Sequence, residues 1–310
     1  MPATILGLAH GLPPEVEVVG VRRPIAADPV GPSDLALDPG RRVLEQASIT
    51  AADVDFIIFA TMTPDVTFPG AACYFQDKLG CGTIGAMDIR GQCAGFLMSL
   101  LVAESFLDAG VYRRIVLAAG EVHSSGLDYS ERGARVAALY GDGAAVTMLG
   151  PAATGGVAAV VCHTDGRLHD GFWIEYPASR QHPVRVTVDD LRAGRHFPKL
   201  DFDLVARFGR ERLPAVVGEV LTRARIAIEQ IDHLILSHVL PEVGDDAART
   251  LGVPPSRFIN ATAAHGHLTA ASLPVALSEA RTVGRIGAGD RVCLAACGAG
   301  FAWGAAVLTL

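Results

Sequence analysis

Asp53-Val54-Asp55-Phe56-Ile57-Ile58-Phe59-Ala60-Thr61-Met62-Thr63-Pro64-Asp65-Val66 returns in pattern as Gln230-Ile231-Asp232-His233-Leu234-Ile235-Leu236-Ser237-His238-Val239-Leu240-Pro241-Glu242-Val243, an offset of 177 residues (230 − 53). Each copy is a short apolar run bounded by acidic and proline-containing segments, the form of a buried strand. Arg114-Ile115-Val116-Leu117-Ala118-Ala119 and Arg291-Val292-Cys293-Leu294-Ala295-Ala296 keep the same offset. A third pair, Gly143–Leu149 and Gly304–Leu310, is shifted by 161 (304 − 143), as an insertion or deletion between strands would produce. Three pairs in one order identify a duplicated chain.

Strands are expected near Ile5–Ala9, Ile57–Thr61, Ala86–Ile89, Ile115–Ala119 and Ala144–Leu149. In the second copy they fall near Gly156–Cys162, Leu234–Ser237, Phe258–Asn260, Val292–Ala296 and Ala302–Leu308. Continuous apolar strands separated by helical stretches imply a mainly parallel sheet covered on both faces. Two such halves, 1–155 and 156–310, sharing buried helices predict an α/β fold in five layers, α/β/α/β/α, about a pseudo-twofold axis. A site would gather where strand ends of both halves meet. The stretch Thr164 to Asp203, rich in His, Arg, Asp and Pro, reads as an inserted loop region over that site.

Half of the 310 residues are hydrophobic and 19% are charged, enough to bury a large core. No apolar run reaches the ~18 residues of a membrane span. The N-terminus lacks the basic start and apolar stretch of a signal peptide. Six scattered cysteines, most inside apolar runs, do not form a disulfide framework, so a reduced, cytoplasmic setting is expected. A net charge of −7 argues against a nucleic-acid partner.

Chemistry concentrates at Ala86-Met87-Asp88-Ile89-Arg90-Gly91-Gln92-Cys93-Ala94-Gly95-Phe96, where an apolar strand breaks at Gly91 and a buried helix begins. A thiol at a helix start faces unpaired N–H groups and the positive end of the helix dipole, which favour thiolate. Cysteine also packs as a small hydrophobe. This context alone leaves a nucleophile and a packing residue both open.

Several motifs in order resemble the β-ketoacyl-carrier-protein synthase III group of the thiolase superfamily over most of the chain. They are Thr63-Pro64-Asp65 with Phe68-Pro69-Gly70-Ala71-Ala72-Cys73, Cys93-Ala94-Gly95-Phe96, Tyr140-Gly141-Asp142-Gly143-Ala144, His238, Thr269-Ala270-Ala271-Ser272-Leu273-Pro274, and Gly298-Ala299-Gly300-Phe301-Ala302-Trp303-Gly304-Ala305. The resemblance implies the thiolase-like fold and an acyl-thioester transferase. In it Cys93 carries the acyl group, and decarboxylative Claisen condensation follows with help from His238. The N–H groups of Cys93 and Ala299 form the oxyanion hole. It further implies a homodimer, with Phe68 capping the partner's acyl pocket, thioesters of coenzyme A or acyl carrier protein as substrates, and no cofactor.

The chain departs from the family pattern at four places. His267 stands where the family has asparagine, giving a Cys-His-His set like that of the elongating ketosynthases. A neutral imidazole can donate a hydrogen bond as an amide does, and unlike asparagine it can also act as a base. Cys297 replaces a phenylalanine, either widening the pocket or packing inertly. The coenzyme A-gripping Trp and Arg near the N-terminus have no counterpart. Pro241-Glu242-Val243 replaces a basic residue after the histidine, leaving Arg207, Arg210 and Arg212 as an alternative carrier-docking patch or a solvated helix face. His265-x-His267 without a third ligand is poor evidence for a metal.

The leading reading is condensation in secondary metabolism. Acyl transfer from Cys93 to an oxygen or nitrogen acceptor, and a non-catalytic ketosynthase partner subunit, are the alternatives. A non-decarboxylating thiolase would need a second catalytic cysteine, and Cys297 lies in the wrong motif.

Overall fold

A computed structural model describes residues 3–151 and 155–310. The first half forms a five-stranded sheet from β1 (Ala3–Gly11), β2 (Phe56–Ala60), β3 (Gly85–Ile89), β4 (Ile115–Glu121) and β5 (Gly143–Pro151). Its spatial order is β1-β5-β4-β2-β3. The second half forms another from β6 (Gly156–Thr164), β7 (His233–His238), β8 (Phe258–Asn260), β9 (Arg291–Gly298) and β10 (Ala302–Thr309), in the order β6-β10-β9-β7-β8. Adding five to each label of the first sheet gives the second, so the repeat in sequence is a repeat in topology. All ten strands lie where the apolar runs predict them.

The sheets are mixed rather than mainly parallel. Strand β2 pairs in parallel with β3 and β4, and β7 with β8 and β9, while the other ladders are antiparallel. Connection length explains this for β9 and β10: only Ala299–Phe301 separate them, too short for the crossover a parallel pair requires.

Helices α1 (Pro32–Gln46) and α2 (Ala71–Leu79) cover the outer face of the first sheet. Helices α4 (Phe202–Ala224) and α5 (Pro241–Thr250) cover the outer face of the second. Between the sheets lie α3 (Gly95–Asp108) and α6 (Ser272–Thr282), in one core with strand residues of both halves. The period-2 alternation of strands sorts the layers: Ile57 and Phe59 point outward to α1 and α2, whereas Ile58 and Ala60 point inward to α3. Helix α3 needs no polar face because both of its sides are covered. This is the five-layered α/β/α/β/α thiolase-like architecture.

Two smaller β-features lie outside the main sheets. Glu15–Val18 and Val21–Pro24 form a hairpin closed by Val19 and Gly20, both with positive φ (44° and 83°), the signature of a type I′ turn. Phe172–Trp173 pairs with Lys199–Leu200 within the inserted stretch. Among the described residues no helix is long and apolar enough to cross a membrane.

Candidate active site

Strand β3 ends at Ile89, and the chain turns through a single 3-10 turn, Gln92–Ala94, before entering α3. Gln92 takes φ 46°, a left-handed conformation rare for a side chain of its size. That bend sets Cys93 between the two sheets, 2% exposed. The second half supplies the facing wall. His267 is held by its backbone, its N–H donating to the Leu139 carbonyl at 2.7 Å, with a β-bridge to Tyr140.

The thiol and an imidazole meet there: Cys93 Sγ lies 3.1 Å from His267 Nε2. Burial pushes the Cys93 thiol up to about 12, against the backbone N–H groups of Ala299 and Cys93 itself, which favour the anion. Burial, then the neighbouring His123 and His238, hold His267 well below its ordinary value. Burial thus favours the neutral form of each group and opposes the thiolate that the helix start and the two N–H groups favour. His267 Nδ1 is buried with no hydrogen-bond partner.

Gly298, at the end of β9, lies directly against the nucleophile: a Cβ there would sit 2.1 Å from Cys93 Sγ. Only glycine permits this approach, which also brings the Ala299 N–H to the sulfur. Cys297, its neighbour, points the other way by strand alternation. It is fully buried in the core shared with α4 and does not line the pocket. The wider pocket or second thiol considered for Cys297 is thus replaced by a packing role.

His238 pairs in register with Cys297 on the adjacent strand and shares its outward face. Nδ1 lies 3.1 Å from the Leu240 N–H and 3.2 Å from the Leu240 carbonyl, and Val205 of α4 supplies a backbone acceptor. Gly209 of α4 makes room for the ring, since a Cβ there would lie 2.4 Å from Nε2. Burial lowers His238 to about 4, so it is neutral. Among the described residues no hydrogen bond joins it to Cys93. The histidine in contact with the thiol is His267.

Phe68 is 83% exposed and does not line its own chain's pocket. Of the arginine patch, Arg210 is paired with Asp246 at 2.6 Å, and Arg212 with Glu211 at 3.3 Å while lying over the Phe208 and Trp303 rings. Arg207 is exposed and without an intramolecular partner among the described residues. The inserted stretch reaches the site as expected: Phe172, Trp173, Ile174 and Pro198 wall the pocket above Cys93.

Three buried residues of the site carried no role in the sequence reading. Glu121, at the end of β4, accepts hydrogen bonds from Thr63 Oγ1 (2.7 Å), Thr61 Oγ1 (3.3 Å), the N–H groups of Met62 and Thr63, and Ala270. Burial nevertheless pushes its carboxyl up to about 7. It clamps a first-half loop to the second-half turn beside His267. His123 Nε2 lies 2.7 Å from Thr269 Oγ1, and its ring packs on Tyr140 at 4.6 Å. Tyr140 in turn lies 5.7 Å from the His267 ring. The signal available in sequence was an acid and a histidine placed just past an apolar strand, in Gly120-Glu121-Val122-His123. Among the described residues no group of three His, Cys, Asp or Glu could hold a metal ion.

Comparison with known proteins agrees with this geometry. The family described as 3-oxoacyl-[acyl-carrier-protein (ACP)] synthase III matches residues 87–166, and that described as its C-terminal part matches residues 221–310. A solved 3-oxoacyl-(acyl-carrier-protein) synthase III is 25% identical and covers all of both chains, with a TM-score of 0.92. The Thermus thermophilus β-ketoacyl-[acyl carrier protein] synthase III is 27% identical over 99% of each chain, TM-score 0.88. The Pseudomonas aeruginosa PAO1 3-oxoacyl-(acyl carrier protein) synthase III is 26% identical over 100% of this chain and 98% of its own, TM-score 0.88.

Proposed function

This chain belongs to the 3-oxoacyl-[acyl-carrier-protein] synthase III family of acyltransferases, and on that premise we propose that Cys93 and His267 form its acyl-transfer pair. The 3.1 Å contact between Cys93 Sγ and His267 Nε2 carries the reading. As the sulfur attacks a thioester carbonyl, its proton passes to Nε2, the carbonyl becomes an oxyanion, and the N–H groups of Cys93 and Ala299 receive it. Collapse expels the donor thiolate, which takes the proton from His267 and leaves acyl-Cys93. A malonyl thioester then loses carbon dioxide, and its enolate attacks the acyl carbonyl. A carbon–carbon bond forms, the carbon–sulfur bond breaks, and the Cys93 thiolate takes a proton from solvent. His238, which the resemblance implies assists the condensation, is buried and neutral, so its part is that of a hydrogen-bonding group rather than a base.

The donor is a thioester of coenzyme A or of acyl carrier protein. With Arg210 and Arg212 engaged internally, Arg207 is the residue left for a carrier protein. A homodimer is supported by two open surfaces: Phe68, and the edge strand β3, which is paired on one side only and partly exposed. Six free cysteines suit a reducing compartment such as the cytoplasm, and the site needs no cofactor.

Intact-mass spectrometry after incubation with acetyl-, butyryl- and longer acyl-coenzyme A tests the reading. An acyl adduct on the wild type and none on Cys93→Ala is expected, and no adduct on the wild type overturns it. Adding malonyl-carrier thioester to the acylated protein should release carbon dioxide. Deacylation by an alcohol or amine without carbon dioxide would instead show transfer to oxygen or nitrogen.

A further inference from the structure

The pocket above Cys93 is mostly apolar, yet its deep wall carries hydrogen-bonding groups that the fold itself does not use. Tyr140 and His123 both line it, 4% and 6% exposed. Among the described residues the Tyr140 hydroxyl has no hydrogen-bond partner. His123 spends Nε2 on Thr269 and leaves Nδ1 without one. Neither free atom is sealed into the protein, so both remain open to the cavity. A hydrocarbon chain lying over them would strip both of solvent and give no hydrogen bond in return, a cost that a wall built only for such a chain would avoid.

The three rings are placed in a row. His123 packs on Tyr140, Tyr140 approaches His267, and His267 touches the thiol. Cys93, Tyr140 and His123 line one pocket, so an acyl group carried on Cys93 shares that space with both side chains.

We propose that the acyl group this enzyme loads bears an oxygen substituent, a hydroxyl or keto group, and that Tyr140 and His123 are the residues that select it. The chemistry of the pair suits such a group. Thr269 can either donate to Nε2 or accept from it, so Nδ1 presents a proton or a lone pair as the ligand requires. The Tyr140 hydroxyl likewise donates or accepts. Burial keeps His123 neutral, with its value lowered to about 3, so the wall offers hydrogen bonds and no charge. Between these two groups a carboxylate would find no counter-ion, the pocket's lining cation Arg90 being exposed, whereas a hydroxyl or ketone would find two partners. A plain alkyl chain would bury both groups unmet, and sites built to bond an oxygen discriminate strongly against analogues lacking it.

This inference rests on the acyl-Cys93 reading, and one experiment separates the two. Rates of acyl-adduct formation are compared for butyryl-coenzyme A and its 2-, 3- and 4-hydroxy derivatives, by intact mass, on the wild type, Tyr140→Phe and His123→Leu. At least one hydroxyacyl thioester should load ~10-fold or more faster than butyryl-coenzyme A. Tyr140→Phe, which removes one oxygen and no carbon, should erase most of that preference, read as the ratio of the hydroxyacyl to the butyryl loading rate. It decides the matter alone if His123→Leu does not fold. Equal or faster butyryl loading by the wild type, or a preference that survives both substitutions, overturns the inference and leaves acyl-Cys93 intact. No adduct from any thioester overturns both.

Discussion

The turn Gln92-Cys93-Ala94 and the turn Thr269-Ala270-Ala271 are the same piece of backbone used twice. Each is a single 3-10 turn at the head of a buried helix, α3 and α6. Each opens on a residue other than glycine with a left-handed backbone, φ 46° at Gln92 and 48° at Thr269. They are separated by the repeat offset (269 − 92 = 177) and nearly touch: a Cβ on Gly95 would lie 3.2 Å from Ala270 Cβ. What differs is the side chains. The first turn carries a sulfur where the second carries a methyl. His267 is the repeat mate of Arg90, and His238 the mate of Thr61. Duplication kept the backbone and divided the chemistry, the nucleophile in one half and the imidazoles in the other, so one site exists where symmetry would allow two.

Removing the second half's contribution should have the largest effect. His267→Ala should slow acylation of Cys93 by ~10²–10⁴ at neutral pH, followed as mass gained against time. His267→Asn should restore condensation if an amide donor suffices there, and should not restore base-assisted acylation. Undiminished acylation in His267→Ala would mean that the thiol contact is incidental.

Gly298→Ala tests the close approach from β9. With 2.1 Å available, the methyl must displace the sulfur, and a misplacement of that size costs ~10²-fold in acylation with little loss of melting temperature. An active Gly298→Ala enzyme would show that the elbow shifts freely.

Glu121, which ties the Thr61–Thr63 loop to Ala270 of the second turn, gives the fold a pH dependence. Its carboxyl is raised from 4.5 to about 7, so the folded state favours the protonated form. Its stabilising contribution is complete below pH ~4 and is lost as pH rises through 7, an amount on the order of 3 kcal/mol. The wild-type melting temperature should fall between pH 5 and 8 more steeply than that of Glu121→Gln. Parallel slopes would show that other groups set the pH response.

Gln92→Gly is the smallest test. It relieves a left-handed backbone worth ~1 kcal/mol and should raise stability slightly, read as a shift of a few degrees in melting temperature. A loss of stability would mean that the Gln92 side chain holds the turn.

The ten strands and the duplicated architecture were legible because strand cores are written in contiguous apolar runs, and the offset between Phe56–Ala60 and His233–His238 survives in residue order. Cys93 and His267 were legible because each sits in a motif that fixes its local backbone. The direction of His238 was not, since it depends on which face of β7 the outgoing layer covers. The choice left open for Cys297 depended on the same thing: its neighbour Gly298 faces the thiol, and alternation turns Cys297 away to pack. Tyr140 and His123 were invisible as a pair because 17 residues separate them and only the walls of a folded pocket bring them together (140 − 123).

The contact between Cys93 and His267 spans 174 positions of the chain. A ribosome working at ~5–20 residues per second therefore completes the thiol roughly 10–30 s before the imidazole that receives its proton. During that interval the nascent first half displays a cysteine with neither its proton acceptor nor the Ala299 N–H. The geometry that we propose activates this thiol is therefore complete only once β9, which ends beside Ala299, has been laid alongside β7.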